Sequence, residues 1–142
     1  MNQIMSNAFS TLSSTNECDL LAVGSGAGGF ATAVAAARAG LDVLMIEKTA
    51  TFGGTTCSSA GVIWVPGSRQ AMAVGIADSR EATLDYLRAQ GSNRLDLAKA
   101  QVYADRAAEA LAWFEDNSHL AYDLAPAWPD YHPTDPGGSV GG

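Results

Sequence analysis

Three glycines, Gly24, Gly26 and Gly29, form the pattern G-x-G-x-x-G, and the residues on either side of them restrict what the chain can fold into. Before them runs Asp19-Leu20-Leu21-Ala22-Val23, a short apolar stretch with no polar alternation. Such a stretch reads as a parallel strand covered on both faces. After them comes an alanine-dense stretch, about Gly28 to Ala39, ended by Gly40, which predicts a helix. Leu41 to Glu47, centred on Val43, Leu44, Met45 and Ile46, predicts a second buried strand. Strand, glycine turn, helix and strand within roughly 30 residues make a βαβ unit, whose crossover is expected to be right-handed.

In that setting each glycine has a physical task. Gly24 permits a tight turn, Gly26 lets a pyrophosphate approach the backbone without meeting a Cβ, and Gly29 lets the helix pack closely on the strand. Ala31, Ala33, Ala35, Ala36 and Ala37 serve the same close approach. A diphosphate would sit on the free amides and positive end of the helix. Glu47, at the end of the second strand, can accept both ribose hydroxyls of an adenosine and disfavours a 2′-phosphate. NAD and FAD share this pattern. A pyridine-nucleotide domain usually continues with another regular helix and strand, whereas here Gly53-Gly54-Thr55-Thr56 follows Glu47-Lys48 within a few residues. Two adjacent glycines and two hydroxyls either serve a second stretch of the diphosphate or form a plain turn.

Length and charge exclude several other classes. A chain of 142 residues holds one domain of ordinary size, not two. A net charge of −7, with the eight basic residues scattered, argues against a nucleic-acid partner. No stretch approaches the roughly 20 apolar residues of a membrane helix. Met1 to Glu17 lacks the positive start and apolar run of a signal peptide. A soluble, cytoplasmic protein is therefore expected. Cys18 and Cys57 are far apart in the chain, so no metal site is expected and both read as small, partly buried thiols.

Residues 1–17 read as a flexible leader, and residues 18–142 as the folded part. Asp78 and Glu81 have capping-box spacing and predict a helix to about Gln90. A longer helix is expected from about Leu95 to Glu115, with Tyr103, Ala107, Leu111 and Phe114 on one core-facing stripe. Ala125 to Gly142 holds four of the five prolines and reads as a linker, a loop or a point of truncation. His119 and His132 read as surface or loop residues.

Three segments together resemble a known group: Glu47-Lys48, Phe52-Gly53-Gly54-Thr55-Thr56, and Ser59-Ala60-Gly61-Val62-Ile63-Trp64-Val65-Pro66. They are similar to the FAD-binding domain of flavoproteins related to fumarate reductase. Within that group Ile63-Trp64-Val65-Pro66 resembles the 3-ketosteroid dehydrogenases, and Pro129-Asp130-Tyr131 resembles the segment that carries an active-site tyrosine there. The resemblance implies an α/β fold: a Rossmann-type FAD-binding βαβ unit, incomplete, with additional helices. It implies that Gly24, Gly26, Ala27, Gly28 and Gly29 hold the pyrophosphate and that Glu47, beside Lys48, holds the adenosine ribose. It places Gly53, Gly54, Thr55 and Thr56 along the phosphates and ribityl chain, and Ser59, Ala60 and Gly61 near the isoalloxazine.

The resemblance also implies a reaction. Two hydrogens leave adjacent carbons beside a ketone, a proton to a tyrosinate-like base and a hydride to the flavin. Tyr131 would face the substrate and assist the base. The substrate would be a small hydrophobic ketone such as a 3-ketosteroid. Members of the group are several times longer, so residues 18–142 are expected to be the amino-terminal part of an FAD-binding domain, truncated before the substrate domain. Another portion of chain or a separate partner would supply the rest, and the first strand would otherwise keep an unpaired edge. A fumarate reductase-like flavoprotein and a non-catalytic FAD-binding fragment are the alternatives.

Overall fold

The structure is a computed structural model that describes residues 17–140, which fall into two compact units divided between Val62 and Ile63. The expected leader, apart from Glu17, lies outside the described residues.

In the first unit, strand β1 (Leu20–Val23) is followed by helix α1 (Ala27–Arg38) and strand β2 (Val43–Ile46). The strands pair in parallel, with Leu20 opposite Val43 and Val23 opposite Ile46. The ladder continues past β1, where the Gly24 amide donates to the Ile46 carbonyl at 2.8 Å. Helix α1 packs against both strands and buries Ala36. Its end has a defined chemistry. Gly40, at φ +86°, donates to the Ala37 carbonyl, and the Leu41 amide donates to that of Ala36. The first bond satisfies the Ala37 carbonyl, the second adds to the Ala39 amide already on that of Ala36, and the chain reverses into β2. The expectation that β1 is covered on both faces is corrected here. Ala22 is buried, but Leu21 and Val23 on the opposite face are 51% and 74% exposed. An apolar run alone does not report which face its own chain covers. Beyond β2 the chain makes a loop and a short 3-10 turn, Gly54–Ser58.

The second unit is helical: α2 (Arg69–Ala73), α3 (Arg80–Gly91) and α4 (Leu97–Asn117). Each starts with a side-chain cap. Ser68, Ser79 and Asp96 accept the amides of Ala71, Ala82 and Lys99, each at 3.0–3.2 Å. Asp78 is therefore not the cap of α3, as its spacing to Glu81 suggested. Its carboxylate instead accepts the Gly67 amide at 2.8 Å, and Ser79 is left to cap the helix. Helix α4 starts at Leu97, two residues after the expected Leu95, because Asp96 is its cap.

Helices α3 and α4 pack together, with Leu84, Tyr86 and Ala100 buried. The stripe of Tyr103, Ala107, Leu111 and Phe114 is only half-buried, and Tyr103 is 36% exposed, so it is not the sealed core expected. Trp64 lies against two tyrosine rings, stacked on Tyr103 with centroids 5.9 Å apart and tilted against Tyr86 at 5.4 Å. The Tyr103 hydroxyl donates to the Trp64 carbonyl.

The proline-rich tail is a folded loop rather than a linker. Asp130 and Ser139 exchange bonds, amide to carbonyl at 3.0 Å and amide to carboxylate at 2.8 Å. Gly137, at φ +76°, sits where a Cβ would stand 2.0 Å from the Ala82 carbonyl oxygen.

Candidate cofactor site

The first unit gathers most of the predicted cofactor residues at the carboxyl end of its parallel pair. Gly24 takes φ +92°, outside the range comfortable for a side chain, and turns the chain from β1 toward α1. Gly26 is the N-cap of α1 and brings no capping side chain. The first turn of α1 holds no acidic residue, so no carboxylate competes there for an anion. The Ala27 amide donates to the Thr56 hydroxyl at 3.1 Å. A Cβ built on Gly54, at φ +51°, would lie 3.6 Å from the Gly26 Cα. The two glycine turns thus meet backbone to backbone, with Thr56 beside them.

Glu47 joins those turns from below. Its Oε2 accepts the Ser25 amide at 3.0 Å and the Ser25 hydroxyl at 2.6 Å. Its Oε1 accepts the Thr49 amide at 3.0 Å and faces the Thr49 hydroxyl at 3.1 Å. The Ser25 hydroxyl in turn accepts the Gly53 amide at 2.9 Å. The Ser25 hydroxyl, followed by the Ser25 and Thr49 amides, draws the Glu47 carboxyl down from its usual 4.5 to about 2. The acid is an anion throughout the physiological range.

The other predicted residues are placed as follows. Gly28 and Gly29 lie in the first turn of α1, and Thr55 is exposed in the 3-10 turn. Ser59 donates to the Thr56 carbonyl at 2.8 Å and accepts the Gly61 amide at 3.1 Å. Lys48, Ala60 and Gly61 are exposed. Tyr131 belongs to the second unit, where its side chain is 99% exposed and the neighbouring His132 amide donates to the Tyr86 hydroxyl at 3.3 Å. Two participants escaped sequence reasoning. Ser25 occupies an "x" of the glycine pattern, and Thr49 lies in what read as plain loop. A carboxylate two residues before a threonine was the one available signal for the second.

The sequence profile of the FAD binding domain family matches residues 19–139, nearly the whole described chain. The chain belongs to that family. Over 128 residues it is 41% identical to 4-oxocyclohex-2-ene-1-carboxylate 5-dehydrogenase of Sinomonas cyclohexanicum, covering 90% of this chain and 21% of that protein. It is 38% identical over 118 residues to 3-oxosteroid 1-dehydrogenase of Rhodococcus opacus, covering 83% of this chain and 23% of the relative. Among solved structures it is similar to 3-ketosteroid delta1-dehydrogenase from Sterolibacterium denitrificans, in complex with 1,4-androstadiene-3,17-dione. That likeness has a TM-score of 0.77 and 33% identity, over 90% of this chain and 22% of that one. The chain thus spans between a fifth and a quarter of the length of these relatives.

The cofactor of this FAD binding domain is FAD, and the residues present fit it. Gly26 carries no Cβ at the start of α1, the Thr56 hydroxyl stands 3.8 Å from where one would be, and no acid occupies the first helical turn. These features leave room and no opposing carboxylate for a diphosphate at the start of α1, where the Thr56 hydroxyl holds the Ala27 amide and the Gly24 amide is spent on Ile46. Among the described residues there is no cluster of three or more metal-ligating side chains, and no helix is long and apolar enough to cross a membrane.

Proposed function

We propose that this FAD binding domain is the Rossmann-type amino-terminal region of a flavin-dependent dehydrogenase acting on a six-membered ring ketone, a 3-ketosteroid or an oxocyclohexane carboxylate. The observation that carries the reading is the Ser25–Glu47–Gly53 junction, which ties an adenosine-type carboxylate to two glycine turns. The relatives' names support the substrate class, since both the steroid and the cyclohexane enzymes are named for ring ketones.

In this reading the backbone of Gly24, Gly26, Ala27, Gly28 and Gly29 receives the diphosphate. Gly53, Gly54, Thr55 and Thr56 line its second side, Glu47 receives the adenosine ribose, and Ser59, Ala60 and Gly61 approach the flavin ring. Bound FAD supplies a hydride acceptor beside the carbon to be oxidised. Tyr131 meets the substrate and hydrogen-bonds the base that removes the proton next to the ketone. A portion of chain outside these residues, or a partner, supplies that base and the groups that polarise the ketone.

The test is a flavin spectrum of the purified chain after incubation with FAD. It is followed by steady-state dehydrogenation assays, with an artificial electron acceptor, of a protein carrying this region and its substrate domain. A 3-ketosteroid and 4-oxocyclohexanecarboxylate are the two substrates, and at least one is expected to be oxidised. Reduction of fumarate without oxidation of either ketone would replace this reading with a fumarate reductase-like one.

A further inference from the structure

Ser25 has no exposed surface, and its hydroxyl both donates to Glu47 and accepts the Gly53 amide within the cofactor site. We infer that Ser25 is a positioning residue for cofactor recognition, which divides the work of the two Glu47 oxygens so that Oε1 is the one offered to the adenosine ribose. This rests on the reading that Glu47 takes that ribose.

A carboxylate offers about four lone-pair sites. Ser25 takes both on Oε2, one through its amide and one through its hydroxyl. Oε1 has one firm partner, the Thr49 amide. The Thr49 hydroxyl lies 3.1 Å from Oε1 but 2.8 Å from the Thr51 carbonyl oxygen, and it owns a single hydrogen. Donated to Thr51, that hydrogen leaves one site on Oε1, so Glu47 has room for one ribose hydroxyl and not for the two that its place in the sequence suggested. The inner oxygen is thus fixed by a buried partner and the outer oxygen by an exposed, exchangeable one.

Serine is the side chain this task requires. Its hydroxyl donates to Glu47 while accepting the Gly53 amide, so one buried group sets both the ribose acceptor and the second glycine turn. Alanine supplies neither bond. Threonine adds a methyl group where there is no exposed surface to receive it. Every donor on the carboxylate is neutral, so no fixed cation is paired with it in place of the ligand.

The experiment compares affinity for FAD with affinity for the FAD analogue lacking the adenosine 2′-hydroxyl, by flavin fluorescence titration of the full chain. The native chain is expected to prefer FAD about tenfold, the scale of one hydrogen bond to a charged acceptor. Ser25→Ala is expected to lower that ratio toward one, because Oε2 then keeps only the amide of residue 25 and the carboxylate is held less firmly in the orientation that presents Oε1. A serine with a merely structural role would weaken both ligands alike and leave the ratio unchanged, which overturns the inference. Ser25→Cys, with a weak donor of similar shape, is expected to give an intermediate ratio and serves if the alanine variant does not fold. An unchanged ratio in the cysteine variant overturns the inference as well. Glu47→Ala separates the two readings. If it keeps the preference, the ribose assignment itself fails. If it loses the preference while Ser25→Ala keeps it, only the role of Ser25 fails.

Discussion

Gly29 lies so close to Gly24 that a Cβ on it would stand 1.8 Å from the Gly24 carbonyl oxygen and 2.9 Å from the carbonyl carbon. The obstacle is backbone, not the end of a flexible side chain, so the helix itself would have to withdraw from the turn. Gly29→Ala is therefore expected to destabilise the chain by on the order of 3 kcal/mol, the upper part of the range for overpacking. Gly28, one residue earlier, has nothing within 4 Å of its Cβ position. Gly28→Ala is expected to be neutral or slightly stabilising through helix propensity. Denaturant midpoints of the two variants check the contrast, and equal midpoints would remove the close-approach account of the third glycine.

The Glu47 carboxyl makes stability depend on acid in a definite window. Its folded-state value of about 2 lies below the usual 4.5, so its contribution is complete above about pH 4.5 and is lost as pH falls toward 2. Replacing it by glutamine removes the titrating group and keeps the shape. The difference in melting temperature between the native chain and Glu47→Gln is expected to shrink between pH 5 and roughly pH 2. A difference that stays constant over that interval would mean that Ser25 and Thr49 do not favour the charged form.

The caps of the second unit offer a test on neighbouring residues. Ser79→Ala removes the acceptor of the Ala82 amide and is expected to cost about 1 kcal/mol, with fraying at the start of α3. Asp78→Ala releases only the Gly67 amide and leaves the α3 cap in place. Amide hydrogen exchange at Ala82 is the sensitive measurement. It is expected to accelerate in the serine variant and stay unchanged in the aspartate variant.

These two residues also show where the sequence stops being legible. Side-chain caps reach the amide three residues on, and both Asp78 and Ser79 satisfy that spacing. The choice between them is made by Gly67, eleven positions back, whose amide takes the aspartate. The strand-turn-helix-strand order was readable because every link in it is local: an apolar run, glycines at fixed offsets, a closing Gly40. Glu47 was readable from its place at the strand end. Ser25 was not, since its partners Glu47 and Gly53 stand 22 and 28 residues away and its own type says nothing of burial. The exposure of Leu21 and Val23 was hidden for the same reason, because coverage is decided by distant chain.

Tyr131 carries the last prediction. The backbone around it is held on both sides. Asp130 is locked to Ser139, and the His132 amide donates to the hydroxyl of Tyr86, which is buried and packed against Trp64. Tyr131 itself is 99% exposed, so the fold invests a fixed backbone in a residue it does not pack. A large aromatic side chain presented in this way fits contact with a ligand better than support of the fold. In a protein carrying this region and its substrate domain, Tyr131→Phe is expected to leave the melting temperature and flavin content unchanged. Turnover of a 3-ketosteroid is expected to fall roughly 10- to 1000-fold, the scale of a group that supports a general base. A hydroxyl that supports proton removal, with the ring left to meet the substrate, places the loss on kcat more than on KM. Tyr86→Phe provides the comparison, since it releases the His132 amide without touching the phenol of Tyr131. That variant is expected to lose turnover by a smaller factor, with a raised KM. Unchanged turnover in Tyr131→Phe, with flavin content intact, would assign Tyr131 to the surface and move the search for the supporting phenol elsewhere in the protein.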